Sequence, residues 1–241
     1  MDEGTHVLVV EDDPAVRDVV RRYLERDGHR VSTAADGETG LLLARTESPD
    51  LVVLDLMLGG IDGVEVCRRL RAEQVYVPVV MLTALADEDH RITGLSVGAD
   101  DYVTKPFSVK ELALRVQAVL RRVRGGPVGV TAPAPTLRDG DLELDRVARE
   151  VRTAGAPLAL TLREFDLLAF FLAHPGQVFS RTDLLAEVWG WEFGDHSTVT
   201  VHVKRLRHKI EPDPANPARI VTVYGLGYRY DLGGSDRADR V

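Results

Sequence analysis

The sequence predicts two modules. The first is an α/β doubly wound five-stranded parallel sheet, and a smaller α+β module follows it. Three observations point there. Residues 6–123 alternate short apolar runs with amphipathic stretches in five strand-helix units, the pattern of a parallel sheet covered by helices. Residues 124–136 hold three prolines and three glycines with no helical or strand period, which reads as a linker. Beyond it, short alternating strands come first and helical stripes after.

In the first module the apolar runs are 6–10, 30–34, 51–55, 79–82 and 102–103, and the helical stretches are 14–27, 37–46, 64–71, 88–97 and 108–122. The run Leu51-Val52-Val53-Leu54-Asp55 anchors this reading. Four aliphatic residues without alternation suit a strand buried on both faces, and they end on a carboxylate. Pro14 suits a first helical turn, and Ser108 stands three residues before Glu111 in capping-box spacing.

Composition bounds the function. A hydrophobic fraction of 44% with 28% charged residues is an ordinary globular balance. The net charge of -8 and pI of 5.4 argue against a uniformly basic nucleic-acid or membrane binder, although local patches remain open. The single cysteine, Cys67, makes no internal disulfide, which fits a reducing compartment. The acidic N-terminus does not read as a signal peptide, and no stretch approaches a membrane span, so a cytoplasmic location is expected.

Four polar features fall at strand ends: Glu11-Asp12-Asp13, Asp55, Thr83-Ala84 and Lys105-Pro106. In a parallel sheet these tips share the edge where ligands bind. Three carboxylates so close repel one another unless a cation joins them, and an all-oxygen set with open positions suits Mg²⁺. The Lys105 ammonium and Thr83 hydroxyl are donors suited to phosphoryl oxygens. An aspartate nucleophile that accepts a phosphoryl group accounts for all of them. A strand-end aspartate alone reads as a cap or turn, and Lys105 alone as a solvated lysine; it is their combination that points to chemistry.

Val9-Val10-Glu11-Asp12-Asp13, Leu54-Asp55-Leu56-Met57, Leu82-Thr83-Ala84 and the run from Gly98-Ala99-Asp100-Asp101-Tyr102 through Lys105-Pro106-Phe107 resemble, in order and spacing, the flavodoxin-like receiver domain of two-component response regulators. The resemblance implies that Asp55 is the phosphoacceptor for a sensor histidine kinase. Asp12 and Asp55 would bind Mg²⁺ with the Met57 backbone carbonyl, and Glu11 would support that site. Thr83 and Tyr102 resemble the switch pair, and the Lys105-Pro106 bond would be cis. Met57 and Leu85 are apolar where a polar residue would orient water, so slow hydrolysis of the phosphoryl-aspartate is expected. Gly59 stands where the family usually has proline.

In the second module Leu142, Leu144 and Val147 alternate with polar residues, and Val151 and Leu158-Ala159-Leu160 follow across a Gly155 turn, so a small antiparallel sheet is expected. Thr161-Leu162-Arg163-Glu164 is a capping box leading the stripe Phe165, Leu168, Ala169, Leu172. Ser180 to Asp183 begins a second short helix, and the pair suits a helix-turn-helix. The stretch 197–210 alternates like a strand at first, but Val199, Val203, Leu206 and Ile210 make one helical stripe, which favours a helix. Its outward residues would be Ser197, Val201, Lys204, Arg205 and His208, flanked by Thr200 and Arg207. Four basic residues and no acidic one lie between Asp195 and Glu211. By default such a run is a solvated helix face; in this setting it reads as a major-groove helix. Residues 220–230 form two strand-like runs about glycines, a hairpin. The histidines show no metal-ligand spacing, and Trp189, Trp191 and Cys67 read as core residues.

Residues 137–232 resemble the winged helix-turn-helix effector of the OmpR/PhoB-type regulators, notably at Thr161 to Leu168 and Gly225-Leu226-Gly227-Tyr228. The domains would be 1–123, a 124–136 linker, 137–232, and a disordered tail from 233 to 241. His202, Lys204, Arg205, Arg207 and Thr222 match the family's DNA-contact positions. Ser197 and Thr200 stand where arginine and aspartate are frequent, and Tyr224 where arginine usually enters the minor groove. Arg91, Ile92, Leu95, Asp100, Asp101, Glu111, Ala113 and Arg115 resemble the surface through which receivers pair on phosphorylation. Promoter DNA, a second copy of the chain and RNA polymerase are the implied partners, with no membrane. Two other classes fit parts of the pattern: an aspartate-nucleophile phosphatase, which would turn over small phosphoesters, and a DNA binder indifferent to phosphorylation.

Overall fold

The computed structural model describes residues 4–73, 75–84, 97–123, 135–191 and 196–233. The chain divides into two compact units, Met1–Gly126 and Pro127–Val241.

Unit one carries five parallel strands, β1 (His6–Val10), β2 (Arg30–Ala34), β3 (Leu51–Asp55), β4 (Val79–Ala84) and β5 (Asp101–Lys105), in the order β2-β1-β3-β4-β5. Helices α1 (Pro14–Arg26), α2 (Gly37–Glu47), α3 (Gly63–Ala72) and α4 (Val109–Val123) accompany them. The strand order reverses between β1 and β3, which opens a crevice at their carboxyl ends. Both strands are buried along their whole length, as their unbroken aliphatic runs require. Asp13, Asp36 and Asp62 cap α1, α2 and α3 by accepting backbone N–H groups of the first turns, with Pro14 opening α1. Gly63 is compelled by space: a Cβ there would lie 2.2 Å from the Asp55 carbonyl oxygen.

Strands β4 and β5 run further than their apolar cores. Register pairs Thr83 with Thr104 and Ala84 with Lys105, so backbone pairing continues where hydrophobicity stops. The helix expected over 88–97 lies, apart from residue 97, outside the described residues, as does Leu85.

In unit two, β6 (Thr136–Asp139), β7 (Leu142–Asp145), β8 (Glu150–Thr153) and β9 (Ala156–Pro157) form an antiparallel sheet. Helix α5 (Leu162–Ala173) follows, then β10 (Val178–Phe179) and α6 (Arg181–Leu184) with a wider π turn over Leu185–Trp189. Helix α7 (Ser197–Ile210) and the hairpin β11 (Ile220–Val223) and β12 (Gly227–Tyr230) complete it, with β10 joining the hairpin as a third strand. Both atoms of the Thr161/Glu164 capping box are engaged, and Ser180 and Asp183 form a second one. The helices and hairpin close over a core that includes Phe165, Leu168, Phe171, Trp189, Val199, Val203, Leu206, Ile210 and Tyr230.

Here the structure corrects three readings. Val147 sits in a turn, 82% exposed, rather than in the strand alternation. Leu158 to Leu160 carry no strand, since β9 ends at Pro157 and the chain there turns toward the α5 cap. Residues 197–210 are a helix as expected, but its buried arc is wider than the single stripe and takes in Thr198, Val201 and His202. Val201 therefore faces inward. The tail beyond 233, like 124–134 of the linker, lies outside the described residues.

Candidate functional site

The crevice at the carboxyl edge of the first sheet gathers groups that are far apart in sequence. Glu11, just past β1, is fully buried; Asp55 ends β3 at 3% exposure; Asp12 beside them faces solvent. Ligand atoms of Glu11, Asp12 and Asp55 all lie within 4.8 Å of one another. From β5, the Lys105 Nζ donates to Asp55 Oδ2 at 2.8 Å and to Glu11 Oε2 and Oε1 at 2.9 and 3.0 Å. The Lys105-Pro106 peptide is cis. Thr83 is buried at the end of β4, and Tyr102 of β5 is also largely inside. Met57, whose N–H donates to Asp55 Oδ1 at 3.3 Å, turns its side chain out to solvent, 72% exposed.

Charge explains the arrangement. Burial pushes the Glu11 carboxyl above its ordinary range; the Lys105 hydrogen bond opposes this and the Asp55 charge adds to it. Burial by itself would lower Lys105, but Asp55 and Glu11 outweigh it and hold the ammonium above its usual value. Lys105 is thus a fixed cation between two carboxylates. With Asp12 included, the set carries three potential oxygen donors against one cation, which fits a small divalent ion with open coordination positions.

The proposed pairing surface is corrected in part. Asp100 is fully buried, accepts from Val79 N–H at 2.9 Å and faces Arg71 at 3.4 Å, so it serves as an internal cap. Asp101 is fully buried too, accepting from Tyr102 N–H at 2.6 Å and lying 3.4 Å from the Arg115 guanidinium. Ala113 is buried among the core of the unit. Glu111 stays exposed and pairs with Arg115 at 2.9 Å. Arg91, Ile92 and Leu95 lie outside the described residues.

In unit two, Thr200, Lys204 and His208 are exposed on α7 and Ser197 is half-buried. Tyr224, at the hairpin tip, is 93% exposed. His202 is corrected: it is fully buried, its Nδ1 donating to Thr198 O at 2.8 Å and its ring edge-on to Trp189. The i, i+4 spacing from Thr198 carries it to the packed side of the helix. Arg205 pairs with buried Glu164 at 2.7 Å. Arg207 donates to Ile220 O at 2.6 and 2.9 Å and to Thr222 Oγ1 at 2.8 Å, tying helix to hairpin. Arg181 was not singled out by the sequence; it donates to Thr200 Oγ1 at 3.3 Å and lies over the Tyr228 ring. No local pattern signals a contact that joins three elements.

Comparison with known proteins adds to this geometry. Residues 7–117 match the model of the response regulator receiver domain, and residues 155–230 that of the transcriptional regulatory protein, C terminal. The chain is 48% identical to the transcriptional regulatory protein CseB of Streptomyces coelicolor, over 95% of this chain and 99% of that one. It is 43% identical to the sensory transduction protein RegX3 of Mycobacterium tuberculosis, over 94% and 99%. Among solved structures it resembles the response regulator DrrB, an OmpR/PhoB homolog of Thermotoga maritima. That match has a TM-score of 0.50 and 33% identity, and covers 95% of this chain and 99% of that one.

Proposed function

Since the chain belongs to the OmpR/PhoB-type response regulators, two-component transcriptional regulators with a DNA-binding domain, we propose that Asp55 is its phosphoacceptor and that phosphorylation there controls DNA binding. The observation that carries this is the Lys105 ammonium held 2.8 Å from Asp55 within a cluster of three acids. Asp55 Oδ attacks the phosphorus of a sensor kinase's phosphohistidine, an O–P bond forms as the N–P bond breaks, and the imidazole leaves. Asp12, Asp55 and the Met57 carbonyl would hold Mg²⁺, with Glu11 supporting them, and the ion would neutralise charge on the transferring group. Lys105 then holds one product oxygen. Thr83 offers its hydroxyl to another, and Tyr102 repacks beside it. The chain is not a turnover enzyme on this reading, although it catalyses its own phosphotransfer and a slow dephosphorylation.

Incubation with acetyl phosphate and Mg²⁺ should add one phosphoryl group by intact mass. Asp55→Asn or chelation of the metal should abolish the addition; equal labelling of Asp55→Asn would refute the assignment. With Met57 exposed beside the site and carrying no hydrogen-bonding side chain, Met57→Asn should shorten the phosphoryl half-life about tenfold by orienting water. An unaltered half-life would show that residue 57 does not govern hydrolysis.

Downstream, phosphorylation favours a receiver dimer in which Glu111 and Arg115 take part with the segment around Arg91, Ile92 and Leu95. The second unit binds promoter DNA through Ser197, Thr200, Lys204 and the hairpin residues Thr222 and Tyr224, and the bound dimer engages RNA polymerase. Phosphate contacts make binding salt-sensitive.

A further inference from the structure

Helix α7 carries four Lys and Arg residues, yet three of them are committed within the unit. Glu164, in the first turn of α5, is fully buried. Its Oε1 lies 2.7 Å from the Arg205 guanidinium in an ion pair, and its Oε2 accepts from Lys209 Nζ at 2.7 Å and from the Thr161 N–H at 2.9 Å. Lys209 also donates to Ala159 O at 2.8 Å, on the approach to α5. Burial by itself would raise the Glu164 carboxyl, but Arg205 and Lys209 outweigh it and hold it below its ordinary range, so the anchor is anionic. Arg205 and Lys209 stand at i and i+4, on one row of the helix. Arg207, two residues along and so about 200° round the helix axis, is tied instead to Ile220 O and Thr222 of the hairpin. The helix is braced on two sides, toward α5 and toward β11. Lys204 is the cation left in solvent.

We propose that Arg205 and Lys209 are positioning residues that hang α7 from Glu164, and that this strut sets the angle at which Thr200 and Lys204 meet a DNA duplex. The proposal rests on the DNA-binding reading of α7. A buried ion pair of this kind is costly to break from one side because it strands a charge, which gives the helix one seat rather than several. Arg205 thus acts on DNA through Glu164 and the helix axis, not through a base edge.

The test uses the full phosphorylated chain and the duplex that the wild type enriches from a random library. Glu164 is buried and touches no duplex, yet Glu164→Gln and Arg205→Met should lower the ratio of enriched to random-duplex affinity alike. Each should lose about tenfold, the scale of one mismatched base pair, with the preference blurred across all positions. Arg205→Lys should restore most of it, and the double variant should be no worse than the poorer single one. Relaxation at one base pair in Arg205→Met, with wild-type preference in Glu164→Gln, would overturn the proposal. If Glu164→Gln does not fold, Arg205→Met and Lys209→Met carry the comparison: both should blur every position. Both tryptophans, Trp189 and Trp191, lie in this unit, so their emission reads its urea midpoint directly. If the wild type enriches no duplex, the DNA-binding reading fails. The midpoints still decide the strut, because additive losses for Arg205→Met and Lys209→Met would refute a shared anchor.

Discussion

Lys105→Met is expected to lower the rate of phosphoryl uptake from acetyl phosphate on the order of 100-fold while tightening Mg²⁺ binding about tenfold. The two effects have opposite signs because one cation serves two roles. In the resting pocket Lys105 sits 2.8 Å from Asp55 and 2.9 Å from Glu11, where it competes with any divalent ion for the same carboxylates. Removing it leaves three acids to the metal. On the proposed phosphoacceptor reading the same ammonium would be a donor aimed at developing charge on a phosphoryl oxygen, and loss of one such preorganised donor costs about 10²–10³ in rate. Stability should fall as well, by about 3 kcal/mol in the absence of metal, because fully buried Glu11 would lose its counter-charge. Added Mg²⁺ should recover much of that loss through preferential binding to the folded state. Calorimetric titration with Mg²⁺, intact-mass labelling and thermal melts measure the three. Weaker Mg²⁺ binding in Lys105→Met would contradict the competition, and an unaltered labelling rate would remove Lys105 from the chemistry.

The pocket was legible in the sequence because its parts end strands. The unbroken run into Asp55 identifies a central strand, and the carboxyl edge of a parallel sheet gathers whatever polar groups follow. Polar ends also hid something: β4 and β5 extend to Ala84 and Lys105, and hydrophobicity alone stops short of Thr83. On α7 a single stripe of aliphatic residues gave the helix but understated its buried arc. Thr198 and His202 are polar, so they add nothing to an aliphatic stripe, yet both are buried, with the His202 ring edge-on to Trp189. Asp100 and Asp101 failed as surface residues for a related reason: buried carboxylates engaged by Val79 N–H, Tyr102 N–H and arginines look, in a sequence, like exposed ones. The Glu164 anchor was half legible. Its capping-box role is local, whereas its pairing with Arg205 and Lys209 joins two helices and leaves no periodic trace.

The second unit is expected to lose stability in acid because of His202, and His202→Leu is expected to remove that sensitivity. Burial lowers the imidazole, the neighbouring Arg205 charge adds to this, and together they bring its pKa down to about 3 from an ordinary 6.5. The folded unit therefore holds His202 neutral while the unfolded chain protonates it below about pH 6.5. Between that pH and about 3 the unfolded state binds the extra proton, so stability is complete above the window and declines as the pH falls through it. The steepest slope from one such group is about 1.4 kcal/mol per pH unit. Among the described residues His202 Nε2 has no hydrogen-bond partner, so an apolar side chain of similar size should cost little at pH 7. Glu164, whose folded value lies below its ordinary 4.5, contributes a separate loss that begins only below that pH. Urea midpoints followed by tryptophan emission from pH 7.5 to 4.5 therefore isolate the histidine. The wild type should hold its stability down to about pH 6.5 and lose it steadily below that, and His202→Leu should lose far less; parallel curves for the two proteins would mean that His202 takes up its proton within the fold.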